Sequence, residues 1–146
     1  MKQALFCFSL LCSIVSLDAQ STRIDHPEFG KVWTKAHREP LFTRVNGDVN
    51  LQKHFSDYFE KNNLIPPGFN ALVILTIIVT KKGEAFFSKA YSSDPSVDLS
   101  PLKLEKAVDL MNDWIPATDA GEEVHFQILL SLKFDDKGVT IRRMSF

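Results

Sequence analysis

Ten consecutive residues, Ala71-Leu-Val-Ile-Leu-Thr-Ile-Ile-Val-Thr80, restrict this chain more than any other stretch. They are apolar and β-branched almost throughout. The run is too short to cross a membrane as a helix and too branched at Cβ to favour one. Lys81-Lys82-Gly83 follows, and glycine takes the positive φ of a tight reversal at little cost. Glu84 to Tyr91 then returns, with Ala85, Phe87 and Ala90 as inward candidates. The pattern predicts a hairpin whose first strand is buried. Val73, Leu75, Ile77 and Val79 make one face of that strand. Leu72, Ile74, Thr76, Ile78 and Thr80 make the other. Both faces are largely apolar, so each needs a cover.

The chain has 146 residues, enough for one domain and not two. Its formal net charge of −1 argues against a nucleic-acid or anionic-membrane binder held by bulk electrostatics. Lys81-Lys82 and Arg142-Arg143 are local basic pairs and read as solvated surface.

The first residues read as a secretory leader. Met1-Lys2 is a short positive start, Ala4 to Leu17 an apolar run, and Leu17-Asp18-Ala19 a small-residue cleavage site. Residues 1–19 are therefore expected to be a signal peptide, 20–38 a flexible polar lead-in, and 39–146 the domain. Cys7 and Cys12 both fall in the leader, which leaves a mature chain with no disulfide or thiolate chemistry. The expected location is the periplasm.

Val32-Trp33 is a candidate first strand, broken by Glu39-Pro40-Leu41-Phe42. Asn46-Gly47-Asp48 is a turn, with Asp48 or Asn50 as the helix cap. Between Val49 and Lys61, the residues Leu51, Phe55, Tyr58 and Phe59 fall on one helical face. Asn62-Asn63 and Pro66-Pro67-Gly68 stop that helix. After a loop at Ser92–Ser96, Ser100-Pro101 starts a second helix. Leu104, Ala107, Val108, Met111 and Ile115 carry it to Trp114-Ile115-Pro116. Val124, Phe126, Ile128, Leu130, Leu132 and Phe134 then alternate with His125, Gln127, Leu129, Ser131 and Lys133, a strand with one packed and one wet face. Asp135-Asp136-Lys137-Gly138 turns the chain, and Val139-Thr140-Ile141 makes a short last strand.

This order resembles the C-terminal domain of TonB. Leu64-Ile65-Pro66 stands at that family's Tyr-Pro, with Ile65 in place of the tyrosine. Val73, Leu75, Ile77, Val79 and Gly83 fit its strand and turn. Ser92-Ser93 matches the small residues after the second strand, and Met111-Asn112-Asp113-Trp114-Ile115-Pro116-Ala117 its Met-x-x-Trp-x-Pro-Ala segment. Glu39-Pro40-Leu41-Phe42 is similar to the family's Pro-x-Phe, without the glycine pair that follows it there. The Ala-Leu pair of the family's second helix is missing too. The resemblance spans about Glu39 to Phe134. It implies an α+β domain: a small antiparallel sheet of three to four strands packed with two helices.

It further implies that an extended segment of an outer-membrane receptor, or of another envelope protein, adds to the sheet edge by β-augmentation, in a setting of TonB-dependent transport across the outer membrane. The edge implied is Val124–Phe134. His125, Gln127, Leu129, Ser131 and Lys133 would read the partner, though they read equally well as the wet face of an amphipathic strand. Val139–Met144 is placed to fold back onto the same edge. With the leader cleaved, neither an anchor nor a Pro-rich spacer is expected, so energy transduction by this chain alone is not. An exposed edge also permits a strand-exchanged homodimer.

No enzyme is expected. His26, His37, His54 and His125 lack the spacing of a metal site, and there is no phosphate loop or nucleophile elbow. No cofactor, metal or nucleic-acid partner is expected. A small-molecule-binding or structural envelope module is the alternative, with some of the twelve phenylalanines lining a pocket. Too few alternating segments exist for a membrane barrel.

Overall fold

The computed structural model describes residues 22–42 and 47–145, without the side chains of 47 and 48; the leader expected at residues 1–19 lies outside them. In chain order the elements are β1 (Arg23–His26), β2 (Gly30–Trp33), β3 (Leu41–Phe42), α1 (Gly47–Asn62), β4 (Ala71–Val79) and β5 (Ala85–Ser92). A 3-10 turn (Ser100–Leu102) leads into α2 (Leu104–Asp109). Then come β6 (Trp114–Ile115), β7 (Ala117–Asp119), β8 (Glu122–Val124), β9 (Phe126–Asp135) and β10 (Gly138–Met144).

The β4–β5 hairpin forms where the branched run requires it. Its turn is tied by Thr80, whose N–H donates to the Glu84 carbonyl at 2.8 Å and whose hydroxyl accepts from the Lys82 and Glu84 N–H groups at 3.2 Å. Gly83 sits at φ +80°, and a Cβ there would collide with the main-chain oxygen of Trp114. Both the dihedral and the close approach therefore demand glycine.

The sheet is larger than the pattern implied. Its strands run β1-β2-β9-β4-β5, and β10 also pairs with β9. β2 joins β9 in parallel through Trp33 and Phe126, while β10 runs antiparallel along Leu129–Asp135 on the same side. The expectation of a small antiparallel sheet of three to four strands is thus corrected to a mixed sheet of six strands, with the short ladders β3–β6 and β7–β8 beside it. One reason is β10, which extends three residues past Ile141. The other is the stretch 20–38, expected to be a flexible lead-in. It supplies the β1–β2 hairpin, which enters the sheet by main-chain bonds and needs little apolar periodicity to do so.

One face of the sheet carries the core. Val73, Leu75, Ile77 and Val79 pack with Phe126, Ile128, Leu130, Leu132 and Phe134 against Leu51, Phe55, Tyr58 and Phe59 of α1, all of them buried. α2 adds Leu104, Ala107 and Val108 but has only six residues and does not reach Ile115 as the spacing predicted. Pro116 disfavours helical backbone at the residue before it. Trp114 and Ile115 instead pair with Phe42 and Leu41, and the Phe42 and Trp114 rings meet at 5.0 Å.

Candidate functional site

The binding strand expected from the sequence is not an edge. β9 has β4 along its whole length on one side and β2 with β10 on the other. An added strand has nowhere to pair with it.

The five residues expected to read a partner nonetheless lie on the face away from the helices, and register places them in rows. Phe86, Ile78 and Gln127 make one row. Lys89, Thr76, Leu129 and Met144 make the next. Tyr91, Ile74, Ser131 and Arg142 follow, then Leu72, Lys133 and Thr140.

The β1–β2 hairpin covers the first row. Its turn residue Phe29 has its ring 5.1 Å from that of Phe86 and 5.7 Å from that of His125. Val32 and Ile78 are fully buried, yet neither belongs to the main core. Trp33 anchors the hairpin from the other pleat: its N–H donates to the His125 carbonyl at 2.8 Å and its indole N–H to Asp119 at 2.9 Å. His125 and Gln127 therefore lie at the covered end. His125 Nδ1 is buried with no hydrogen-bond partner among the described residues. Burial, and after it the charge of Lys81, holds the His125 imidazole below its usual pKa.

Ser131 and Lys133 lie at the uncovered end. With Leu72, Asp135, Thr140 and Arg142 they border a shallow depression of about 350 Å³. Leu129 stands between the two ends, opposite Thr76. The structure thus brings two of the five expected readers together in the open and puts two under the hairpin.

Two outer edges of this sheet differ. Along β10 two of the main-chain groups that point away from β9 are taken by Gln52 of α1. Its Oε1 accepts the Ile141 N–H at 2.7 Å and its Nε2 donates to the Val139 carbonyl at 2.7 Å. Arg143 continues the cover, donating to the Pro40 carbonyl at 2.8 Å and pairing with Glu39 at 2.9 Å. The middle of β10 is therefore blocked to an added strand by α1.

β5 ends the sheet on the other side. The Ser93 N–H donates to the Leu72 carbonyl at 2.9 Å, and the alternation of an antiparallel ladder runs back from there. Tyr91 and Lys89 turn their main-chain groups to β4, while Ala90 and Ser92 turn theirs outward. A bulge at Ser88 resets the count, and the Thr80–Glu84 bond then sets Phe87 and Ala85 outward. No hydrogen bond to these outward groups occurs among the described residues. Lys89 and Tyr91 project on the open face beside them, Tyr91 52% exposed, while Phe86 lies against Phe29 of the β1–β2 hairpin.

Sequence reading passed over β5 because the resemblance to the TonB domain implies an edge at Val124–Phe134. The available signal was Lys89 next to the break in alternation at Ser88, since a lysine and a bulge are how an unpaired edge is kept from uncontrolled pairing. Among the described residues no three His, Cys, Asp or Glu side chains converge, and no helix is long and apolar enough to cross a membrane. No family model matches the chain, nor does any curated protein or solved structure.

Proposed function

We propose that this is a protein-interaction domain of the bacterial envelope that takes an extended segment of a partner protein as an added strand on β5. One observation carries the reading. The β10 edge is blocked at Val139 and Ile141 by Gln52, whereas β5 keeps the outward groups of Ala85, Phe87, Ala90 and Ser92 without bonds among the described residues. Main-chain bonds to those groups supply affinity, and the side chains alternating with them supply selectivity. The bulge at Ser88 limits the continuous run to Lys89–Ser92, which suits a short segment. The partner class is a segment of an outer-membrane receptor or another envelope protein. The periplasmic setting rests on the leader-like start of the chain.

Ala90→Pro is the direct test. Proline removes an outward donor and leaves the β4–β5 bonds in place, as edge strands tolerate. A photoreactive phenylalanine analogue at Tyr91, used in envelope preparations, should crosslink one partner strongly. The same analogue at Val49, exposed on α1, should not. Ala90→Pro, or Ser92→Pro if the first variant loses its circular dichroism signal, should abolish the Tyr91 product. A Tyr91 product that persists in a folded proline variant would overturn the reading.

A further inference from the structure

We infer that the segment accepted by β5 carries an acidic residue opposite Lys89 and an apolar one two positions away, opposite Tyr91. This rests on the edge reading above and adds the chemistry of the partner.

Lys89 is central. Its own main-chain groups bond to β4, so a residue added opposite it on the outer side occupies a non-hydrogen-bonded site. There the Cα atoms approach most closely, about 4.5 Å, and side chains interact most. Lys89 is exposed and makes no ion pair among the described residues. Tyr91 follows it on the same face within the unbroken run and is 52% exposed, whereas Phe86 lies beyond the bulge against Phe29. The partner residue opposite Tyr91 gains by being apolar or aromatic.

The surrounding field has the same preference. Lys133 and Arg142 lie farther across this face, and Asp135 is the carboxylate beside them; Glu84 lies at the turn, beyond Phe86. Lys133 is paired with Asp135 at 4.0 Å, so the positive charge on this face comes from Lys89 and Arg142. On the opposite pleat Ala85, Ala90 and Ser92 are small and Phe87 packs against the core, so that side accepts varied residues. A second copy of this chain is disfavoured, because symmetric antiparallel pairing about Lys89 sets two lysines against each other.

The test uses the whole mature-length chain and two fluorescent synthetic peptides, Ser-Val-Thr-Asp-Thr-Val-Ser and the same sequence with Lys for Asp, read by anisotropy. Wild type should bind the Asp peptide about three- to tenfold more tightly than the Lys peptide. Lys89→Glu should invert that order, and Ala90→Pro should remove binding of both. The preference should shrink as salt rises. Equal binding of both peptides by wild type and Lys89→Glu, with loss in Ala90→Pro, would overturn the acidic preference and leave the edge reading standing. Binding of both that survives Ala90→Pro, or binding of neither, would overturn the edge reading and this inference with it.

Discussion

Gln52 of α1 and Ile141 of β10 are joined as two strands would be: the Gln52 Oε1 accepts the Ile141 N–H at 2.7 Å, and the same carboxamide donates to the Val139 carbonyl one residue pair away. A side chain here substitutes for a neighbouring strand. Gln52→Ala leaves both main-chain groups without these partners. It should cost about 1–3 kcal/mol in urea denaturation and speed amide exchange at Ile141 before any other β10 position. Unchanged exchange at Ile141 would show that the bond is not what closes this edge.

Gly83→Ala should cost more than an ordinary turn substitution. The left-handed backbone alone costs about 1–2 kcal/mol for a residue with a Cβ, and the Trp114 carbonyl must also move. A loss of at least ~2 kcal/mol in the urea midpoint is expected. A loss under half of that would mean the turn relaxes freely away from Trp114.

Stability should fall as the medium becomes mildly acidic, through His125. Burial holds its imidazole below the usual value of 6.5 in the folded protein. The unfolded chain then takes up the proton first. The stabilisation is present in full above about pH 6.5 and is lost as pH falls from there through the folded-state value. Urea denaturation at about pH 7.5 and about pH 5 should show a smaller difference in His125→Gln than in the wild type. Identical differences would assign the effect to other groups.

On the proposed edge, Lys89→Val removes a charge that would repel a second β5. Light scattering after gel filtration should show the variant associating with rising concentration while wild type stays monomeric. A monomeric variant would mean that the bulge at Ser88 suffices.

Local elements were legible in the sequence, because their periods are local. Leu51, Phe55, Tyr58 and Phe59 gave α1, and the Ala71–Thr80 run with Gly83 gave the hairpin. The alternation of Val124–Phe134 gave β9 except for a break at His125. Neighbour relations were not legible. Residues 23–33 join the sheet through backbone groups that every residue type carries, so nothing in their composition announces it. The strength of the β9 pattern marked a central strand rather than a binding edge, since apolar alternation reports burial of one face and is silent on what lies beside the strand. The candidate edge, β5, was passed over because the resemblance implies an edge at Val124–Phe134, and the break in alternation at Ser88 gives β5 no clear period of its own.

The parallel contact between Trp33 and Phe126 also sets the order in which the molecule can assemble. The β4–β5 and β9–β10 hairpins close short loops and can form early. β9 must then find β4, and the β1–β2 hairpin can dock only on a strand that lies near the end of the chain. Until β9 is available, the branched run of β4 has no neighbour but β5. A chain emerging from its N-terminus therefore carries the β4–β5 hairpin uncovered until β9 has followed, and its core closes only through that long-range pairing.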